Sequence, residues 1–320
     1  MNIKLHLLII SGFIVVFCIL VFSCRADRQN RSHIPTKHPR DATQIISDVD
    51  QSMRWYQAAN PGKIRAVALV VHGLNLRPDK MESIITLLTD SGIDVLNLSL
   101  RGHGRNYTSK THIESAKARL EAFKTVSYQV WIDETYRAYH IIRKRSAQKK
   151  LPLFFVGFSL GGLMGVDLFA SYPDVYFDRM VLLAPALSMH AINYTAKLLS
   201  LFPRLVIPSF TMADYRANNG TPMAAYNSVF EAVKHFNKNV NPAINVPTLI
   251  FIDPQDELIS YGGLKRLVKN EQLDQWKFHH VQKGKTGVEE KMRHLIIDEP
   301  SVGKDMWQEM RIAITNHLLP

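Results

Sequence analysis

The residue with most chemistry to offer is Ser159, in the run Gly157-Phe158-Ser159-Leu160-Gly161. The apolar stretch Leu153 to Val156 precedes it and reads as a strand buried on both faces. Beyond it, Leu163, Met164, Val166 and Phe169 recur at helical spacing. Strand, sharp turn and helix with a hydroxyl at the apex make a Gly-x-Ser-x-Gly nucleophile elbow. The apical residue takes strained backbone geometry and projects clear of the sheet. Residues two before and two after must be small, because strand and helix nearly touch there. The same pattern occurs in ordinary glycine-rich turns, so it gains meaning only beside an acid, a base and oxyanion donors.

A serine hydroxyl is a poor nucleophile until a histidine takes its proton, and that histidine needs a carboxylate to hold its tautomer. In open parallel sheets such groups gather just past the carboxyl ends of strands. Asp253-Pro254-Gln255-Asp256-Glu257 follows a strand predicted over 247–252. Asp253 and Glu257 are available, but Asp256, at the tip of the turn, is the favoured acid; the bland alternative is a solvated turn capping the next helix. For the base, His279 and His280 fall inside the last predicted strand, whereas His294 lies in a loop before the apolar Leu295, Ile296 and Ile297. His294 is favoured. His317 sits in the terminal helix, facing away. Oxyanion donors are expected from the backbone amides of Leu160, at a helix start, and Leu74, where Gly73 lets the chain approach closely. His72 and His103 read as local supports of their loops rather than as bases.

These residues need a scaffold. Strands are predicted over 65–71, 94–100, 153–156, 180–184, 247–252 and 276–281, and helices over 48–59, 79–90, 125–145, 260–271 and 304–318. Alternating strands and helices predict an α/β fold, a doubly wound, mostly parallel sheet. The stretch 188–246 is too long for a connection and is expected to be an inserted, largely helical cap. Its apolar Leu198, Leu201 and Phe202, with Leu199, Leu205 and Ile207, would line an acyl pocket or simply pack onto the core. The expected organisation is an N-terminal signal or anchor over 1–23, a polar tether over 24–45, core over 46–187 and 247–320, and the cap between.

The chain has 320 residues, 46% of them hydrophobic, enough for a large core, and a formal net charge of +11. No helix carries a dense Lys/Arg stripe and no nucleic-acid module is visible, so the basic surface is read as ordinary or, around Arg25, Arg28, Arg31, Lys37 and Arg40, as attracted to anionic lipid. The two cysteines, Cys18 and Cys24, lie near the N-terminus, which leaves the body without a disulfide, a cysteine nucleophile or a thiolate metal site. Leu7 to Phe22 is almost wholly apolar. Val21-Phe22-Ser23-Cys24 resembles the lipobox of bacterial lipoprotein signals. That resemblance implies cleavage before Cys24, lipidation of its thiol and a place in the cell envelope. The alternative is an uncleaved single anchor helix, which by the positive-inside rule would leave the body cytoplasmic.

Ser159, Asp256 and His294 in that chain order, with His72-Gly73 upstream, resemble the α/β-hydrolase superfamily. Arg101-Gly102-His103-Gly104 is similar to a strand-end motif of its monoacylglycerol lipase and lysophospholipase branch. Asp253-x-x-Asp256 stands where that branch commonly has Gly-x-x-Asp, and His294-Leu295-Ile296 resembles its His-x-Leu signature. The likeness runs over residues 46–320, the cap matching in position only. It implies hydrolysis of an ester, a lipid acyl ester above all, through an acyl-enzyme and without metal or organic cofactor. A thioesterase, a carbon–carbon hydrolase or a proline-type aminopeptidase could share the triad; the last would want an acidic cluster in the cap, which holds only Asp214 and Glu231. Dehalogenases and epoxide hydrolases of the fold carry Asp at the elbow, so Ser159 argues against them. A non-catalytic surface lipoprotein of the same fold is the alternative outside enzymology.

Overall fold

The computed structural model describes residues 52–107, 115–209, 211–283 and 292–320. The expected signal or anchor, the tether and the lipidation candidate Cys24 lie outside the described residues. Seven strands form one sheet: β1 (Met53–Tyr56), β2 (Ala66–Val71), β3 (Ile93–Leu98), β4 (Leu153–Phe158), β5 (Arg179–Leu183), and, after two short strands elsewhere, Thr248–Ile252 and Trp276–His280. Those two short strands, β6 (Val206–Pro208) and β7 (Gly220–Pro222), pair with each other, making the last two sheet strands β8 and β9. The order is β1-β3-β2-β4-β5-β8-β9, parallel except for β1. Every residue of β2, β3, β4 and β8 is buried, as expected of strands covered on both faces.

Helices follow the strands: α1 (Glu82–Asp90), α2 (Ser115–Phe123), α3 (Tyr128–Lys149), α4 (Leu160–Ser171), α5 (Met223–Asn239), α6 (Tyr261–Asn270), α7 (Glu299–Val302) and α8 (Lys304–Leu318). Trp131, Ile132, Tyr139 and Ile142 form the buried stripe of α3. Ser127 caps α3 by accepting the Val130 amide, 3.3 Å, and Lys150 closes it in a left-handed conformation.

The helix expected over 48–59 is instead the edge strand β1. Met53 pairs with Leu98 and Tyr56 with Val95, antiparallel. Its apolar residues did suggest a helical face, but an open edge on β3 offers a ladder of backbone partners that an isolated turn of helix cannot match. Trp55 remains partly exposed, beneath the Arg145 guanidinium at 5.0 Å. Residues 188–246 are less helical than expected: a 3₁₀ helix (Ala191–Leu199) and the β6–β7 pair precede α5. Helix α5 packs on α4 and is tied there by a buried polar group. Tyr128 Oη donates to Asp167 Oδ2 at 2.7 Å, and His235 Nδ1 lies 2.9 Å from Asp167 Oδ1.

Candidate active site

Steric closure makes the elbow. Ser159 has φ 50° and ψ −113°, a conformation costly for a non-glycine residue, between the end of β4 and the start of α4. Its amide donates to Leu183 O at 2.9 Å and its carbonyl accepts from Leu163 and Ala186, so the strained residue is held on both sides. A Cβ on Gly161 would stand 2.2 Å from the Val71 carbonyl oxygen, and one on Gly157 2.6 Å from the Gly162 backbone. These positions are glycine because backbone meets backbone there.

The three carboxylates after β8 have separate partners. Asp256 Oδ1 accepts the amides of Leu258 (2.7 Å) and Ile259 (2.8 Å), while Oδ2 lies 2.8 Å from His294 Nδ1. Asp253 Oδ1 takes the Gln255 amide at 2.8 Å and Oδ2 faces Arg293 at 3.4 Å. Glu257 accepts the His294 backbone amide at 3.2 Å, a role nothing in its sequence position signals. Burial pushes the Asp256 carboxyl up, but the His294 ring and the two amides outweigh it and hold the group below the ordinary carboxylate range.

His294 completes the line: its Nε2 is 2.8 Å from Ser159 Oγ. The structure thus brings together Ser159, His294 and Asp256, all buried. The His294 loop is anchored by buried Leu295, Ile296 and Ile297, and by Lys283, whose Nζ donates to Met292 O at 2.6 Å. Burial pushes the Lys283 ammonium down to about 8, with nearby Glu257, Asp253, Asp256 and Asp298 opposing. His279 sits beside Glu309 at 2.9 Å and His280 beside the Tyr261 hydroxyl at 2.7 Å, both away from Ser159, while His317 bonds Met180 O at the opposite end of β5.

The loop after β2 carries Leu74. Among the described residues, neither the Leu74 nor the Leu160 amide has a protein acceptor, and both residues line the cavity that holds Ser159. Gly73 is required there, since a Cβ would stand 2.6 Å from the Phe158 ring and 3.2 Å from Ser159 Cβ. Two fully buried histidines brace the loop. His72 Nδ1 donates to Gly73 O at 2.8 Å and its Nε2 accepts the Leu100 amide at 3.1 Å. His103 Nδ1 faces the Leu100 carbonyl at 3.2 Å and its Nε2 accepts the Asn75 amide at 2.9 Å. An amide donor at one nitrogen and a carbonyl at the other fix the tautomer and exclude a second proton. Burial pushes His72 down to about 4 and holds His103 well below its usual range. The Arg101-Gly102-His103-Gly104 turn rests on α3: Glu134 accepts the Arg101 amide at 2.7 Å, and Trp131 Nε1 donates to Arg101 O at 3.1 Å.

The cavity at Ser159 has a volume of about 880 Å³. Its far wall comes from Met189, Ile192, Ala196, Ile207, Val229 and Phe230. Leu198, Leu201 and Phe202, expected to form an acyl pocket, are outside that wall; Leu198 is 79% exposed and Leu201 84%. The correction has a geometric cause. The 3₁₀ helix 191–199 has no buried residue; Ile192, Asn193, Thr195 and Ala196 in its first turns line the cavity, and Leu198, further along, lies beyond that lining. Of the six apolar residues expected from sequence at the acyl pocket, Ile207 alone lines the cavity.

The fold has many relatives among solved structures. The monoacylglycerol lipase of Paleococcus ferrophilus is 18% identical, TM-score 0.59, over 83% of this chain and 98% of that one. A soluble variant of monoglyceride lipase from Saccharomyces cerevisiae, solved with a substrate analog, is 14% identical, TM-score 0.62, over 91% and 97%. Est1E from Butyrivibrio proteoclasticus, solved with ferulic acid bound, is 18% identical, TM-score 0.53, over 83% and 93%. At such identities the likeness establishes the α/β-hydrolase fold. No curated protein matches the chain significantly. A family model, serine aminopeptidase, S33, matches residues 62–221, from before β2 to β7, a span that includes the Leu74 loop and the elbow. The chain belongs to the serine aminopeptidase S33 family of α/β-hydrolases.

Proposed function

We propose that this protein hydrolyses carboxylic esters, specifically lipid acyl esters of the monoacylglycerol or lysophospholipid type, through an acyl-enzyme on Ser159. The observation that carries the reading is the unbroken line Asp256 Oδ2, His294 Nδ1, His294 Nε2, Ser159 Oγ, with both hydrogen bonds 2.8 Å. Ser159 Oγ attacks the ester carbonyl as His294 Nε2 takes its proton; Asp256 holds the ring and pairs the charge that forms. The Leu74 and Leu160 amides receive the oxyanion. His294 then protonates the departing alcohol, and water, activated by the same ring, releases the acid. The apolar far wall of the cavity suits an acyl chain, and the monoacylglycerol lipases among the structural neighbours favour the same chemistry.

A fluorophosphonate probe tests the reading: wild type labels and Ser159→Ala does not. A series of p-nitrophenyl esters of rising chain length tests the lipid assignment, which a flat or short-chain preference would overturn. The peptidase reading is weaker, because Glu257 is the sole carboxylate among the lining residues and already accepts the His294 amide. Proline p-nitroanilide should therefore be a poor substrate. The proposed lipid anchor is tested separately: Cys24→Ser should release the protein from the membrane fraction, and unchanged partitioning would favour an uncleaved anchor helix.

A further inference from the structure

Asn75 follows the oxyanion candidate Leu74 directly and is buried, with a left-handed backbone, φ 53°. Its bonding pattern resembles one rung of a sheet made by a side chain. Asn75 Oδ1 accepts the Asn218 amide at 2.9 Å, and Asn75 Nδ2 donates to the Asn218 carbonyl at 3.0 Å. The Asn75 carbonyl accepts the Ala217 amide at 2.8 Å, and the Arg77 amide donates to Tyr215 O at 2.8 Å. The segment 215–218, which belongs to the insertion between β5 and β8, is thus zipped along the loop that presents Leu74. Asn218 is itself fixed: its Nδ2 donates to Gly102 O at 3.0 Å and its Oδ1 accepts Arg119 Nε at 3.3 Å.

The peptide group joining Leu74 to Asn75 is therefore held at the Asn75 amide by His103, while the Asn75 side chain and carbonyl are held by the insertion. The Leu74 N–H sits on the Gly73–Leu74 peptide group, whose carbonyl accepts from His72 Nδ1 at 2.8 Å and from the Leu76 amide at 3.2 Å, so a flip of that group is opposed there. Moving Leu74 bodily away from the cavity is opposed by the bonds at Asn75. A buried, unpaired amide side chain would be costly, so the clasp favours one loop conformation.

We propose that Asn75 is a positioning residue that aims the Leu74 amide at the developing oxyanion by clasping the 215–218 segment, so that seating of the insertion and assembly of the oxyanion hole are one event. This rests on the ester-hydrolase reading above. Its signature is on turnover and not on substrate binding, because the oxyanion forms only in the transition state.

The test uses the full-length protein, p-nitrophenyl butyrate turnover, and active sites counted by end-point fluorophosphonate labelling. Asn75→Gly keeps the left-handed backbone and deletes the clasp; kcat per labelled site should fall about tenfold or more, with KM within about twofold. Asn75→Asp keeps the acceptor for the Asn218 amide and should recover part of that loss. Asn218→Ala leaves the backbone partners of Asn75 and removes the side-chain bonds to Gly102, Arg119 and, at 3.3 Å, Asn75 Oδ1, so a smaller fall, about threefold, is expected. If Asn75→Gly does not fold, the other two variants decide. Unchanged kcat per labelled site in the folded variants, or a loss lying wholly in Tm or in the labelled fraction, overturns the clasp and leaves the ester reading standing. A wild type that neither labels nor turns over ester sinks that reading and the clasp with it.

Discussion

Replacing Asp256 by Asn tests the acid–base line with little change in shape. Asp256 Oδ1 already accepts two backbone amides, from Leu258 at 2.7 Å and Ile259 at 2.8 Å. An Asn side chain placed there must keep its carbonyl oxygen toward those amides, since its NH₂ group would meet two donors. That orientation points Nδ2–H₂ at His294 Nδ1, now 2.8 Å from the carboxylate. The ring must then offer a lone pair at Nδ1 and carry its proton on Nε2, facing Ser159 Oγ. A protonated Nε2 cannot accept the serine proton, so the wrong tautomer removes the general base. Ser-His-Asp sites trapped in this way lose about 10⁴-fold in kcat, which is about 5 kcal/mol in the barrier. Tm should change little, because both amide bonds persist. The assay is p-nitrophenyl ester turnover per labelled active site. Asp256→Asn retaining turnover within tenfold of wild type would refute the assignment of Asp256, and Asp253 or Glu257 would need the same substitution.

Stability should fall on acidification below neutrality. His72, lowered to about 4 by burial, stays neutral in the fold while the unfolded chain protonates near 6.5, so its contribution is full above 6.5 and is lost as pH falls toward 4. The loss from this one ring at pH 5 is about 2 kcal/mol, and Asp256, lowered in the fold, adds a loss in the same direction at lower pH. A urea midpoint unchanged between pH 7 and pH 5 would contradict this. Gly161→Ala should cost at least about 3 kcal/mol or prevent folding, because its Cβ would lie 2.2 Å from the Val71 carbonyl oxygen; a Tm close to wild type would show that the elbow can relax. Val229→Phe, on the cavity wall, should lower kcat/KM for long acyl chains about tenfold while sparing butyrate, whereas Leu198→Ala should leave chain-length preference alone. The reverse pattern would return the acyl site to the residues 198–202.

The sheet and the meeting of Ser159, Asp256 and His294 at its edge were legible because each rests on a local rule. Buried parallel strands read as apolar runs, and the elbow demands glycine where backbones touch at 157 and 161. The search past each strand end then left few candidates for acid and base. Long-range geometry was not legible. Apolar character alone placed Leu198 in the acyl pocket, but the 191–199 segment lines the cavity only as far as Ala196, and the local sequence does not record where the cavity ends. Residues 53–56 became a strand because β3 had a free edge, which the local sequence does not record. Asn75 gave one signal, a polar side chain between Leu74 and Leu76, but its partner lies at Asn218 and only the fold joins them.

Three histidines stand around this one site with different work, and their surroundings separate them. His72 and His103 are enclosed, each with a backbone amide donating to Nε2. A proton arriving there would confront that amide, so these rings can brace a loop and cannot shuttle. His294 has no amide at either nitrogen; it lies between a carboxylate and a hydroxyl. A proton taken from Ser159 would find its countercharge at Asp256, across the ring. The same imidazole is therefore a strut in two places and a suitable base in the third, and burial alone does not distinguish them, since all three are buried. What distinguishes them is the sign of the group at the second nitrogen. That criterion explains why the histidine closest in sequence to Leu74, His72, is the wrong one to choose as the base.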